Sequence, residues 1–320
     1  MFSLTDLQRA AGLVHTHLPA TPQIAWPLLA QRTGATVWVK HENHLPTGAF
    51  KVRGGVVFAD RHSTPNQARD GTGPGLISAT RGNHGQSLAW AGSRFGLTVT
   101  IVVPYGNSAE KNAAMAALGA RLIEHGEDFE EARDEAHRLA AAEDLVFVPS
   151  FAPDLVMGVA TYALELFRAV PNLDAVYVPI GLGSGICGTI LARDLLGLTT
   201  KVIGVQSAGA DCYAQSFAAG HIVAGNRADT KADGIAVRQP DPAALRIILA
   251  GAERIVTVTD PQIATAIAAY WTDTHNLIEG AGAAPLAALI QEAPAMRGQR
   301  VALIASGGNI DLQLFRSWVA

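Results

Sequence analysis

The chain has 320 residues, 49% of them hydrophobic and only 16% charged, which fits a well-buried globular chain long enough for two lobes. A net charge of −4 offers no basic surface for nucleic acid or an anionic membrane. No basic stretch with an apolar run opens the chain, no segment reaches about 18 uninterrupted apolar residues, and Cys187 and Cys212 form no CxxC pair. No signal peptide or spanning helix is therefore expected, and a reducing cytoplasm is the expected location.

In chain order, residues 3–12 read as a short helix, and Leu18-Pro19-Ala20-Thr21-Pro22 as extended, because proline excludes helix. Strand 36–40 leads through a Pro-Thr-Gly turn into a helix starting near Phe50. Gly and Pro at 63–67 and 71–75 mark a loop. Strand 76–79, helix 86–95, strand 98–103, helix 109–118, strand 120–124, helix 128–143 and strand 145–148 follow. The acidic cluster Glu127 to Glu131 favours the helix dipole and reads as a solvated face. Helix 154–169, strand 175–180, helix 186–196 and strand 201–205 come next. After an Ala/Gly-rich loop, helix 242–251, strand 254–258, helices 260–272 and 282–291, and strand 300–304 lead to the turn Ser306-Gly307-Gly308-Asn309. Alternating strands and helices imply parallel sheets.

Four stretches carry chemistry. Lys51 falls in the first turn of its helix, where the dipole disfavours an ammonium and would lower its pKa. A free amine there can form an imine with a carbonyl cofactor, although taken alone Lys51 reads as well as a surface lysine. Arg81-Gly82-Asn83-His84-Gly85 opens onto a helix, and its amides suit a small carboxylate or phosphate. Gly181-Leu182-Gly183-Ser184-Gly185 joins a strand to a helix, the chemistry of a phosphate cradle. Gly183 to Gly188 also fits GxGxxG, but a dinucleotide site wants an acidic residue at the end of the next strand, where Gln206 stands. Ser184 lacks the flanking glycines of a nucleophile elbow. A glycine turn that serves packing alone stays open. The pairs His15/His17 and His41/His44 lack a cysteine or carboxylate at ligand spacing, so no metal is expected there.

Together these stretches resemble the fold-type II enzymes that use pyridoxal 5′-phosphate, and most closely the threonine/serine dehydratase and serine racemase group. Residues 43–54 match the group's Asn-x-x-Pro-Thr-Gly-Ser-Phe-Lys-x-Arg-Gly segment, with Ala49 in the serine place. Ser78 and Gly82 to Gln86 match its Ser-x-x-x-Gly-Asn-His-Gly-Gln, and the glycine loop at 181–185 and the turn at 306–309 match its two later motifs. Ala232 to Ile235 and Glu279 also fall where the group has similar pieces. The resemblance implies an α/β fold of tryptophan synthase β type, two-lobed, with parallel sheets flanked by helices. The small lobe is expected at 47–148 and the large, cofactor-binding lobe at 1–46 plus 149–320.

It implies that Lys51 holds the cofactor as an imine and then acts as base at Cα, and that Phe50 packs beside the ring. Asn83 would bond the ring hydroxyl. Gly181, Gly183, Ser184 and Gly185 would bind the phosphate, and Ser306 would face the ring nitrogen. Ser78, Arg81, Gly82 and His84 would line the substrate site. The expected reaction is elimination from a β-hydroxy amino acid (threonine, serine, or a 3-substituted serine such as phenylserine or hydroxyaspartate) to a 2-oxo acid and ammonia. A β-replacement synthase, a serine racemase and a non-catalytic amino-acid sensor are the alternatives, and a homodimer is the expected assembly. The chain departs from the group in its phosphate loop, which is Gly-Leu-Gly-Ser-Gly and not four glycines, and at two further places. Arg81 stands where the racemases carry a serine, and Gln206 where the group's divalent-cation site has a glutamate, so no metal is expected there either.

Overall fold

The computed structural model describes residues 1–63 and 74–320, so most of the loop expected over 63–75 lies outside the described residues. Six strands form one sheet: β1 (Gln23–Ala25), β2 (Thr36–His41), β7 (Ala175–Pro179), β8 (Lys201–Ser207), β9 (Arg254–Val258) and β10 (Arg300–Ala305), in the order β1-β2-β10-β7-β8-β9. Four form the other: β3 (Leu76–Ala79), β4 (Val99–Val103), β5 (Arg121–Glu124) and β6 (Val146–Phe147), in the order β5-β4-β3-β6. Every pairing is parallel except that of the edge strand β1 with β2. Strands such as β4, Val-Thr-Ile-Val-Val, are buried at every position, as sheets covered on both faces require.

The strand order decides what meets. β10 lies between β2 and β7, with Ala305 in register with His41. The segment 43–51 leaves the C-terminal end of β2, the turn 306–309 leaves β10, and the loop 181–185 leaves β7. Three motifs that are far apart in sequence therefore emerge side by side at the carboxyl edge of one sheet, where ligands of open α/β sheets bind. The fourth, 80–86, leaves β3 of the other sheet.

Among the described residues the α-helices are α1 (Leu4–His17), α2 (Pro27–Thr33), α3 (Lys51–His62), α4 (Asn83–Phe95), α5 (Ala109–Ala117), α6 (Phe129–Ala142), α7 (Pro153–Ala169), α8 (Ser184–Leu195), α9 (Cys212–Ala219), α10 (Pro242–Gly251), α11 (Asp260–Thr274), α12 (Gly280–Gln291), α13 (Ala293–Met296) and α14 (Leu312–Val319). The sequence expectation stopped α1 at residue 12. It runs on through Gly12 because Leu7, Ala10, Ala11 and Val14 keep one buried face. β1, α2, α9 and α13 were not anticipated, whereas α14 is the helix expected after the turn at 306–309. At α9 the Gln206 side chain supplies what the local sequence lacks, its Oε1 accepting from the Ala214 amide in the helix's first turn at 2.9 Å. The acidic cluster caps α6 as expected, Asp128 accepting from the amides of Glu130 and Glu131.

A buried charge network ties β2, α3 and α7 together. Arg53 and Glu42 are fully buried and meet at 2.7 Å, and Arg53 also reaches Glu165 at 2.6 Å. Lys40, equally buried, reaches Glu165 at 2.5 Å. Two cations and two carboxylates balance within this network. Burial alone would raise the Glu165 carboxyl, but Arg53 and Lys40 overrule it and hold it at about 2. The histidine pairs that looked like ligands have other partners. His15 meets Glu165, while His41 accepts from the Trp26 indole and stacks on His44, and burial lowers it to about 4.

Candidate active site

Lys51 begins α3, and the turn before it is laced to the turn after β10. Phe50 N donates to Ser306 O at 3.0 Å, Gly308 N donates to Gly48 O at 2.9 Å, and Ala49 bridges Gly307. Lys51 and Ser306, 255 positions apart in sequence, are thereby held on one rigid platform. The Lys51 ammonium lies 5.3 Å from the centre of the Phe50 ring. Burial, opposed by Glu279, lowers the Lys51 pKa to about 8. The direction is the one expected, and lost hydration is its largest cause. Ser306 is 3% exposed.

The loop 80–86 brings its residues to the site in different ways. Gly82 caps α4, its amide bonded to Thr80 Oγ1 at 3.1 Å. Asn83, the first residue of α4, donates Nδ2–H to Glu279 Oε1 at 2.8 Å, and its Oδ1 accepts from Asn309 Nδ2 at 2.7 Å. His84 is buried with Nε2 unpartnered, and burial followed by the Lys51 charge lowers it to about 3, so it is neutral. Ser78 is 1% exposed and its hydroxyl is spent on the Val148 carbonyl at 2.7 Å. It supports the loop from behind and does not open onto the cleft. Arg81 is half exposed, with Nη1 3.9 Å from Asp233 Oδ1. Lys111, from α5, holds the other Asp233 oxygen at 2.8 Å.

The glycine loop packs where side chains would not fit. A Cβ on Gly181 would collide with the Gly234 carbonyl, and Gly183 turns into α8 at φ +102. Two buried tyrosines hold the loop's carbonyls back, Tyr213 bonding Leu182 O at 2.9 Å and Tyr162 bonding Gly185 O at 2.8 Å. The first amides of α8, from Ser184 and Gly185 onward, have no intrahelical acceptor, and the helix dipole favours an anion at that end.

A cavity of about 620 Å³ is lined by Arg81, Tyr105, Asn107, Lys111 and Asp233 among others, with Lys51, Ser306 and the glycine loop outside its lining. An inner recess adds Glu279 and Asn309. Sequence reading gave no role to Lys111, Asp233, Glu279 or Asn309. Glu279 had a signal, since it falls where the resembling group has a similar piece, and Asn309 ends a motif read for Ser306 alone. Burial pushes the Glu279 carboxyl up to about 7 against the pull of Lys111 and Asn83.

The chain is similar to known proteins of one family. The family described as "Pyridoxal-phosphate dependent enzyme" matches residues 14–307. An L-threonine ammonia-lyase of Thermotoga maritima is 32% identical over 98% of this chain and 77% of its own length. An L-threo-3-hydroxyaspartate ammonia-lyase of Saccharomyces cerevisiae is 29% identical over 98% of this chain and 95% of its own. Among solved structures, maize serine racemase superposes with a TM-score of 0.90 at 25% identity, covering 98% of this chain and 96% of its own.

Proposed function

The chain belongs to the pyridoxal-phosphate-dependent enzyme family, and from that membership we propose that it is an ammonia-lyase converting a β-hydroxy amino acid to a 2-oxo acid and ammonia. The observation that carries this reading is the platform on which Lys51 and Ser306 stand together, with the glycine loop leaving the strand next to Ser306. The residues fit the cofactor. An amine that burial keeps easily deprotonated suits a carbonyl partner, and a glycine turn with carbonyls tied back and helix amides free suits a phosphate.

When bound, pyridoxal phosphate supplies an electron sink for the charge left at Cα. In this proposal Lys51 would hold the cofactor through its amine and, once the substrate's own amine has displaced it, would take the Cα proton. Gly181, Gly183, Ser184 and Gly185 would hold the phosphate, Phe50 would pack on the ring, and Asn83 would donate to the ring oxygen. Ser306 offers the ring nitrogen a neutral hydroxyl, which does not enforce a protonated ring. The sink is then milder, and elimination is favoured over transamination. Gly82 and neutral His84 border the substrate, with Ser78 bracing them. The β-hydroxyl would leave as water, its proton balancing the one Lys51 takes from Cα, and the released enamine would hydrolyse in water to the 2-oxo acid and ammonia.

Arg81 shapes two further parts of the reading. A guanidinium stays protonated at neutral pH, so Arg81 does not serve as a second base at Cα, and racemisation is expected to be slight. Its fork, loosely engaged by Asp233, suits a substrate carboxylate and favours an acidic β-substituent, as in 3-hydroxyaspartate. The test is a panel of L-threonine, L-serine, phenylserine and 3-hydroxyaspartate assayed for ammonia, 2-oxo acid and D-isomer. D-isomer forming as fast as 2-oxo acid would replace the lyase reading by a racemase. An Arg81→Ala variant with an unchanged KM for every substrate would remove Arg81 from the site. A homodimer in a reducing cytoplasm completes the proposal, the assembly being checked by sedimentation.

A further inference from the structure

Asn83 is the cofactor partner whose orientation matters most, because an amide turned by half a rotation offers oxygen where it should offer N–H. Its Nδ2 carries two hydrogens. One goes to Glu279 Oε1 at 2.8 Å, and its Oδ1 takes a hydrogen from Asn309 Nδ2 at 2.7 Å. Asn309 is itself fixed, since its Nδ2 also donates to the Thr47 carbonyl at 2.8 Å. Two oxygens converge on that nitrogen, and only an NH2 group can satisfy both. Flipping Asn309 would press oxygen against two acceptors. Flipping Asn83 would face oxygen to the Glu279 carboxyl and nitrogen to the Asn309 NH2. Each amide locks the other.

Two motif glycines make room for this arrangement. Gly48, at φ +66, lies against Asn309, where a Cβ would come within 3.1 Å of Asn309 Cγ. A Cβ on Gly307 would collide with the Glu279 carboxyl. The two turns that carry Lys51 and Ser306 are thus also shaped to admit the two side chains that hold Asn83. Around Glu279 stand Lys111 of α5, Asp233 of the turn 233–235 and Lys51 of α3.

We infer that Asn309 and Glu279 are positioning residues that grip the Asn83 amide from both ends and aim its one free N–H at the cofactor's ring oxygen. The inference rests on the proposed role of Asn83. A donor aimed at that oxygen favours its ionised form, which absorbs at long wavelength, over the neutral form, which absorbs in the near ultraviolet. The ratio of the two bands in the resting holoenzyme therefore reads the grip, and a merely structural role would leave it unmoved.

The experiment records this ratio at one pH for wild type, Asn83→Ala, Asn309→Ala, Asn309→Asp, Glu279→Ala and the double variant Asn83→Ala/Asn309→Ala, with a melting curve for each. Asn309→Asp is nearly isosteric and sets a carboxylate against two oxygens, so it tests orientation with packing intact. The ratio is expected to fall about threefold to tenfold in each single variant, the scale of one hydrogen bond. The double variant should match Asn83→Ala alone, as for residues that act through one another. If Asn83→Ala lowers the ratio and the Asn309 variants do not, the grip is overturned and the role of Asn83 stands. If Asn83→Ala leaves the ratio unchanged, the role of Asn83 falls and the inference with it. Losses that multiply in the double variant would also overturn the grip.

Discussion

Burial moves Lys51 down to about 8, from the 10.5 of an ordinary lysine, with Glu279 pulling the other way. A base with a depressed pKa in the fold pays the full penalty of a buried ammonium below about pH 8, and is relieved as pH rises from there towards 10.5. The amine reacts with a carbonyl only when neutral. In cofactor-free protein, uptake of pyridoxal phosphate should therefore speed up about tenfold per pH unit below about 8 and level off above it, followed by the growth of yellow colour. A rate still climbing at pH 10 would mean that the amine is not perturbed. Lys51→Ala should lose both the colour and all turnover. Lys51, Phe50, Asn83 and Ser306 were legible in the sequence because each sits inside a local motif. The contacts of Asn83 with Glu279 and Asn309 were not, because they join residues 196 and 226 positions apart and no spacing encodes them.

At the level of elements, α3 is set by what lies beneath it. Arg53, two residues after Lys51, is fully buried between Glu42 and Glu165. Arg53→Met would leave two carboxylates short of a partner and should cost about 3–5 kcal/mol in a denaturant melt, whereas a loss under about 1 kcal/mol would mean that the network is dispensable. Glu165 adds an acid limit. Its carboxyl is held at about 2 in the fold against 4.5 when free, so its stabilisation is complete above about pH 4.5 and fades as pH falls towards 2. Glu165→Gln should flatten that acid fall. Gln206 bears on metals in the same way. Its Oε1 is engaged by the start of α9 and a neutral amide holds a hard cation poorly, so EDTA should leave most activity intact. Complete loss restored by magnesium would refute this. Strands such as β4 and β7 could be read from their apolar runs between breakers. α9, with Ala, Ser and Cys and no clear apolar period, could not, because its first turn is completed by a side chain from β8. The three-residue β1 exists only as the partner of β2.

Over the whole molecule, the cleft lies between two sheets, and several polar contacts join them on the outer side. Lys111 and Ser108, on and before α5, meet Asp233 at 2.8 Å and Asp311 at 2.6 Å respectively. With the small lobe proposed at 47–148, both contacts cross from one lobe to the other. Parallel sheets were legible from the alternation of strands and helices. This closure was not, since it depends on how two separately ordered sheets face each other. Asp233 is 41% exposed on its side chain, so its pairing with Lys111 should add only about 0–1 kcal/mol to global stability. Its weight falls on the closed arrangement. If the pair biases the lobes towards a binding-competent closure, Asp233→Asn lowers the competent fraction and weakens apparent substrate affinity by that fraction. The expected result is a KM raised about threefold to tenfold with the melting temperature almost unchanged, read from steady-state kinetics and a thermal melt on the same preparation. A melting temperature lowered by more than about 4 °C with KM unchanged would make the pair a brace for the fold. Lys111→Met should repeat the KM effect, because either partner's loss opens the same contact.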